Sequence, residues 1–394
     1  MMMFDQSQNK AEESAKTAID FTKLKVAIVH YWLVGMRGGE KVVEDLCHLF
    51  PQADIYTHVA DPDNLSDTIR RHKITETFIG RLPGAKTHYQ KYLPLMPRAL
   101  EALDLSGYDL VISSEAGPAK GVVTAPDCVH LCYCHSPMRY IWDQYHVYRA
   151  NAGLAGRAAM SIFAPWLRVW DHASAARVDH VVANSDFVRR RIAKAWGRSA
   201  DVVFPPVDLD AFQPGDPAEV EDFYLYVGEL AAYKRPDLLV ETFNESGRPL
   251  IIIGDGSEKA ALEKVAKPNI RFLGRASFET LRSHYKRCRA LLFPGVEDFG
   301  IIPLEAMASG RPVVAYGRGG ALETVRDGVT GVFFHDHTPA ALNGAIDRLE
   351  NELLGTLDPQ ALQAHVAAFG RDRFRQEMAT TISDLLSSAQ GGRA

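Results

Sequence analysis

The sequence predicts an α/β protein of two domains, each a parallel sheet covered by helices on both faces. Three observations carry this. Compact apolar runs alternate with segments of helical periodicity through most of the chain, the pattern of strand, crossover helix and parallel strand. The alternation stops at residues 205–217, a turn-rich stretch holding Pro205, Pro206 and Pro214, and then restarts. The length, 394 residues, suits two or three domains at roughly 150 residues each.

The first apolar run, residues 25–30, stops at a glycine-bearing loop, Gly35-Met36-Arg37-Gly38-Gly39, and helical periodicity begins at Glu40 with Val43, Leu46 and Phe50. Residues 109–113, 130–134 and 180–185 read as further strands, the last followed by a helix from Asp186. Beyond the boundary, residues 224–228 form a strand, and Pro236 opens a helix with Leu239 and Phe243 one turn apart. Residues 249–254, 270–273, 290–293 and 313–315 continue the second sheet. From Gln360 the chain is largely helical to about Ser388, with Phe374, Met378, Ile382 and Leu385 or Leu386 on one stripe. The expected division is a disordered tail at 1–20, a first domain at 21–205, a second at 206–370 and a C-terminal helix at 371–394. Ligands of open parallel sheets bind beyond the carboxyl ends of the strands, so two such domains face to face make one deep cleft.

Composition narrows the function classes. Apolar residues make up 46% and charged residues 24%, as in ordinary soluble globular proteins. Residues 1–200 carry a net +3 and residues 201–394 a net −8, so neither half is basic enough for a general nucleic-acid binder. The five cysteines are too few and too irregular for a disulfide framework and suit a reducing cytosol. Cys132-Tyr133-Cys134-His135 invites a metal reading, but the run reads better as a buried strand, and no second cluster supplies the missing ligands; no metal is expected. The polar, mixed-charge N-terminus lacks the apolar core of a signal peptide, and no stretch reaches the roughly 18 apolar residues of a membrane span. Residues 68–98 hold Arg70, Arg71, Lys73, Arg81, Lys86, Lys91 and Arg98 against Glu76 alone, with Phe78, Tyr89 and Tyr92 among them. That mixture fits a surface resting on anionic headgroups and an ordinary solvated face about equally well. Arg189-Arg190-Arg191 reads as a helix surface.

The most informative stretch is residues 293–312. A strand ends at Phe293, a loop holds Glu297, Pro303 suits the first helical position, and Gly310 stops the helix. Exposed N–H groups near Ile301 and Ile302 would receive phosphate oxygens. Glu305, expected in the first turn, offers an acceptor-only carboxylate for two ribose hydroxyls, and Glu297 points toward whatever the phosphate carries. The order Gly-x-x-Gly-Gly at residues 35–39 is not the dinucleotide fingerprint, which argues against a nicotinamide enzyme.

Glu297-x-Phe299-Gly300 followed by Pro303-Leu304-Glu305-Ala306-Met307-Ala308-x-Gly310-x-Pro312-Val313-Val314 resembles the signature of family 4 of the retaining, nucleotide-sugar-dependent glycosyltransferases. Tyr226-Val227-Gly228-Glu229-Leu230 with Lys234 resembles the family's donor-phosphate segment, and Ile253-Gly254-Asp255-Gly256 its glycine turn. Gly319-Gly320-Ala321-Leu322-Glu323 with Gly328-Val329-Thr330-Gly331 resembles its closing segment. His30-Tyr31-Trp32 with Gly38-Gly39-Glu40 resembles its flexible first loop, where glycines let backbone approach a ligand. The resemblance runs from Lys25 to the C-terminus and implies the GT-B fold: two Rossmann-like domains, a deep interdomain cleft and a final helix crossing back to the first domain. It implies donor contacts at Gly38, Gly39, Lys234, Arg235, Glu297, Phe299, Gly300, Ile301, Ile302 and Glu305, and catalytic roles for His135, Glu297 and Lys234. One departure stands out: the family usually has an arginine where this chain has Glu229, leaving Lys234 and Arg235 to meet the diphosphate.

Tyr133-Cys134-His135-Ser136-Pro137-Met138-Arg139, Tyr92-Leu93-Pro94 and Tyr108-Asp109-Leu110 resemble one subgroup in particular, the bacterial O-antigen mannosyltransferases. A lone histidine at a strand end is often structural; the motif around His135 is what implies a place beside the transferred sugar. The implied activity is transfer of mannose from GDP-mannose to a saccharide, on a polyprenyl-diphosphate-linked acceptor, in surface-polysaccharide or O-antigen assembly. The implied setting is cytoplasmic, with peripheral contact on the inner membrane and without cofactor, metal or nucleic acid. The rivals are another donor, UDP-glucose or GDP-fucose, and a catalytically silent sugar-nucleotide-binding partner subunit, which the loss of arginine at Glu229 favours.

Overall fold

The computed structural model describes residues 19–391. Of the expected N-terminal tail, residues 1–18 lie outside the described residues. Ile19 and Asp20 lie inside: Ile19 packs on the first core and Asp20 caps a short turn at Phe21–Lys23, so the first domain begins before position 21.

The first sheet contains β1 (Val26–His30), β2 (Asp54–Thr57), β3 (Ile74–Glu76), β4 (Leu110–Glu115), β5 (Val129–Cys134), β6 (His180–Ala183) and β7 (Asp201–Val202), in the order β3-β2-β1-β4-β5-β6-β7. The second contains β8 (Tyr224–Val227), β9 (Leu250–Ile253), β10 (Ile270–Gly274), β11 (Leu291–Phe293), β12 (Val313–Tyr316) and β13 (Gly331–Phe334), in the order β10-β9-β8-β11-β12-β13. The pairings β1·β4, β4·β5, β8·β11 and β11·β12, like the rest, are parallel. Both sheets reverse direction of winding between their first and fourth strands, which places the ligand crevices at the carboxyl ends of β1 and β4 and of β8 and β11. The strands buried on both faces are the ones read as apolar runs; β5 carries Cys132 and Cys134 wholly inside, and all five cysteines are free and buried.

Six helices position the cleft: α1 (Gly38–Leu49), α2 (Leu154–Ala175), α3 (Asp186–Trp196), α4 (Pro236–Ser246), α5 (Ile301–Ala308) and α6 (Arg371–Gly391). α3 starts where Ser185 Oγ accepts the Val188 N–H at 3.0 Å and ends at Gly197, whose φ of 65° a side chain would resist. α6 crosses back: Phe374, Met378, Ile382 and Leu386 are buried in the first core, and Arg371 and Arg375 pair with the fully buried Asp45 of α1. Fully burying such apolar side chains stabilises by about 1.5–3 kcal/mol each, enough to hold the helix on the far domain.

The two domains touch directly. Ser185 Oγ donates to the Asp298 carbonyl at 2.6 Å, Arg191 Nη1 pairs with Asp298 Oδ1 at 2.6 Å, and Glu323 accepts the N–H groups of Asp186 and Phe187 at the start of α3. Arg191 therefore does not decorate a helix surface as the sequence suggests; it is an interdomain clasp, because α3 aims its inner face across the cleft.

Candidate active site

A cavity of about 550 Å³ opens between the domains, at the carboxyl ends of both sheets. Its first-domain wall is built from the loop leading into α1 and the turn after β5. A Cβ at position 39 would sit 2.6 Å from the Tyr31 hydroxyl, so any larger residue there displaces the Tyr31 ring, and His135 Nε2 lies 3.6 Å from the same point. A Cβ on Gly38 would meet the Ile301 side chain of the other domain at 3.2 Å, so this loop approaches α5 closely across the cleft. His135 follows β5 and shares a hydrogen bond of 2.8 Å with Ser114 Oγ, which in turn meets His30 Nδ1 at 3.0 Å. Burial pulls His135 down to about 4, so at neutral pH the ring is uncharged: it can orient or polarise a ligand by hydrogen bonding but brings no positive charge.

The second-domain wall carries the charge. Lys234 Nζ pairs with Glu297 Oε1 at 2.8 Å; burial opposes its charge, but Glu297 and the Tyr233 hydroxyl outweigh burial and raise its pKa. α5 begins at Ile301 behind Gly300, whose φ is 90°, and no side chain caps it, so its first N–H groups face the cavity that Ile301 and Ile302 line. Two expectations shift here. Pro303 is the third helical residue, and Glu305 lies in the second turn, because the left-handed Gly300 lets the helix start two residues early. Glu305 is nearly buried. Its Oε2 accepts the Tyr285 hydroxyl at 3.1 Å, Lys41 approaches Oε1 at 3.7 Å from the opposite domain, and burial raises its pKa.

Of the residues singled out in the sequence, the structure brings Gly38, Gly39, His135, Lys234, Glu297, Phe299, Gly300, Ile301, Ile302 and Glu305 to this one cavity. Phe299 lies deep, stacked on Phe204 at 5.4 Å where the chain crosses between domains. Arg235 is not among the lining residues: it has a φ of 56°, and its guanidinium pairs with Asp237 at 2.9 Å in the unliganded protein. Glu229 does line the wall, close enough to Lys234 to favour its charge. The other domain brings three further cations to the cavity wall. Arg37, Lys41 and Arg139 all line the cavity, and Arg139 also pairs with Asp298 at 3.4 Å. Sequence reasoning passed over them as site residues although Arg37 and Arg139 lie inside the segments quoted above; their positions at the carboxyl ends of first-domain strands were the available signal. Among the described residues no three His, Cys, Asp or Glu side chains converge as a metal site.

The buried imidazoles make stability depend on pH. Burial lowers His58 to about 4, His130 to about 3 and His135 to about 4, against 6.5 in an ordinary histidine. The unfolded chain takes up protons that the native one refuses, so this stability is complete above 6.5 and is lost as pH falls toward 4. Glu40, pushed up to about 6 by burial, acts in the opposite sense, as do the carboxyls of Asp45, Glu115, Glu305 and Glu323, which burial also raises. In denaturant titrations the wild type should lose about 2 kcal/mol more between pH 7 and pH 5 than His130→Gln, which removes one such ring. An equal loss in the two proteins would show that this ring is not held neutral.

Comparison with known proteins identifies the domains. The family described as Glycosyltransferase Family 4 matches residues 36–211, and that described as Glycosyl transferases group 1 matches residues 210–358. The chain is similar to the D-inositol 3-phosphate glycosyltransferase of Geodermatophilus obscurus, 33% identical over 235 residues that cover 50% of this chain and 51% of that protein. The Nocardia farcinica protein of the same name is 30% identical over 251 residues, covering 56% and 55%. The chain thus spans about half the length of the curated relatives it matches. In fold it is similar to Anabaena HepE in complex with UDP and glucose, with a TM-score of 0.67, 18% identity and coverage of 91% of this chain and 99% of that one. It is equally similar to sucrose-phosphate synthase of Thermosynechococcus elongatus, with a TM-score of 0.67, 17% identity and coverage of 93% and 100%. Two consecutive family matches and a shared two-sheet architecture give this chain the GT-B fold, with a segment matching the Glycosyltransferase Family 4 model followed by one matching the Glycosyl transferases group 1 model.

Proposed function

We propose that this chain transfers a sugar, with retention of configuration, from a nucleotide sugar to a saccharide acceptor. The donor is GDP-mannose, the acceptor saccharide is carried on polyprenyl diphosphate, and the product belongs to surface-polysaccharide or O-antigen assembly on the cytoplasmic face of the inner membrane. The observation that carries the reading is the convergence, in one interdomain cavity, of Lys234, the uncapped N-terminus of α5 and the Glu305 carboxylate behind it. A cation beside open N–H groups suits a diphosphate, and a partly accessible carboxylate one turn further suits the ribose hydroxyls. On binding, the diphosphate takes Lys234 from Glu297, which frees that carboxylate for the hydroxyls of the sugar. Lys234 and the helix N–H groups then stabilise the leaving diphosphate without a metal, while Arg37, Lys41 and Arg139 supply the charge that Glu229 withholds. His135, neutral, orients the sugar as positive charge develops at its anomeric carbon.

A UDP-sugar donor is the second reading, supported by the UDP and glucose named in the HepE complex. A thermal-shift panel separates the two, because a ligand at 100 times its Kd stabilises by ~2.7 kcal/mol. GDP and GDP-mannose should raise the melting temperature more than UDP and UDP-glucose; the reverse assigns a uridine donor, and no shift from any nucleotide sugar overturns the transferase reading.

The ribose assignment has its own check. Glu305→Ala should weaken nucleotide affinity at least tenfold, since a charge-assisted hydrogen bond contributes about 1.5–3 kcal/mol. Calorimetry showing unchanged GDP and UDP affinity would remove Glu305 from the site.

A further inference from the structure

Helix α2 presents an apolar face to water. Its inner side, Ala164, Leu167, Asp171 and Ser174, is buried, and Lys120 anchors its C-terminal half through Asp171. Its outer side carries Leu154, Ile162, Trp166 and Val169, which are 85%, 68%, 48% and 70% exposed, with Phe163 at the flank. Between them lie exposed Ala155, Ala158, Ala159 and Pro165. A surface helix normally turns polar residues outward, and a contiguous exposed apolar patch marks an interface.

Charge decides what covers it. From Gln144 to Trp170 the chain holds Arg149, Arg157 and Arg168 and no acidic residue. Arg157 and Arg168 donate to backbone carbonyls and Arg149 to the Ser161 hydroxyl, neutral partners that leave the positive charge in place. Leu93 packs against the cluster that holds Ala164 and Leu167, so residues 89–95 lie beside α2; they bring exposed Lys91 and Leu95, with exposed Arg81, Lys86 and Arg98 on the neighbouring turns. A second copy docking here would press one cationic rim against another. An anionic bilayer complements both features, taking the apolar face below its headgroups and the basic rim among them.

We infer that the outward face of α2, with the basic rim at residues 81–98, seats this protein in an anionic lipid surface. α2 packs on Met138 and Ile141, the turn that follows His135 and bears the cavity residue Arg139, so lipid seated on α2 lies next to the cleft. The inference deepens the membrane setting of the proposed function by naming the face that meets lipid, and because it is read without turnover its failure leaves the glycosyl-transfer reading standing.

The test is co-sedimentation of the full chain with phosphatidylcholine vesicles and with vesicles that also contain phosphatidylglycerol. The wild-type chain should bind the anionic vesicles and not the neutral ones. Ile162→Ser combined with Trp166→Ser should lower partitioning at least about tenfold, given what burying two such side chains contributes. Lys86→Glu with Lys91→Glu should lower it by a similar factor, and more at low salt. All four positions are exposed, so unchanged melting curves certify folded variants. No binding of the wild-type chain to anionic vesicles overturns the inference, as does unaltered binding by the Ile162→Ser/Trp166→Ser variant. A wild-type dimer in sedimentation velocity that the same variant renders monomeric overturns it too, since a second copy then covers the face.

Discussion

Lys234→Ala lowers kcat by on the order of 10²–10³-fold, the size expected when a charged group that stabilises a developing anion is removed from an enclosed site. The effect has two sources in this cleft. The leaving diphosphate of the proposed reaction loses one of the cations of the cavity wall, and Glu297, held at 2.8 Å by Lys234 in the unliganded protein, is left in a partly desolvated wall without its ion-pair partner. Both act on the charged reaction centre. Donor affinity therefore falls as well, and kcat/KM falls by more than kcat alone. Lys234→Arg, which keeps the charge but replaces a point cation by a planar fork, recovers part of the loss. Steady-state kinetics on the three proteins check this, and wild-type kcat in Lys234→Ala would take Lys234 out of the reaction.

His135→Ala divides its effect differently. Lys234, Glu297, Glu305 and the N-terminus of α5 belong to the second domain, whereas His135 reaches the cavity from the end of β5 in the first. On the proposed reading its neutral ring meets the sugar rather than the nucleotide, so turnover should drop on the order of 10²-fold while GDP-mannose affinity stays near wild type. A histidine serving only the Ser114 and His30 network would behave otherwise: its loss lowers the melting temperature and reduces affinity and turnover together. Melting temperature, GDP-mannose affinity and kcat measured on the same variant distinguish the two roles, and wild-type turnover would remove His135 from the site.

The legible parts of the fold were the strands buried on both faces, because a strand without a solvated side is written as an unbroken apolar run, as in β1, β5 and β9. β2 and β3, short and partly exposed, left no such run, and β7 has only two residues. β13 is only four residues long and opens on a glycine; Gly331 is there because a Cβ would lie 2.1 Å from the Val313 carbonyl oxygen of the neighbouring strand. α2 went unread as well: its buried side carries Asp171 and Ser174 while its outer side carries Leu154, Ile162 and Val169, so apolar residues do not mark the face that packs on the core.

The candidate site divides along the same line. Its second-domain half was readable because Glu297, Gly300, Ile301 and Glu305 follow one another along a single strand, loop and helix. The contacts across the cleft, Lys41 with Glu305, Arg139 and Arg191 with Asp298 and Gly38 against Ile301, join residues more than a hundred positions apart and depend on how the domains dock. Arg235 was misplaced because adjacency to Lys234 says nothing of direction: its left-handed backbone and its pairing with Asp237 keep it off the cavity wall.

A crystal structure of the protein grown with GDP-mannose in excess chelator tests the central claim most directly. The account predicts the diphosphate oxygens within hydrogen-bonding distance of Lys234 Nζ and the N–H groups of Ile301 and Ile302, the ribose hydroxyls on Glu305, and the mannose between Glu297 and His135. A nucleotide bound outside the interdomain cavity, or a diphosphate seated away from both Lys234 and the start of α5, would contradict it.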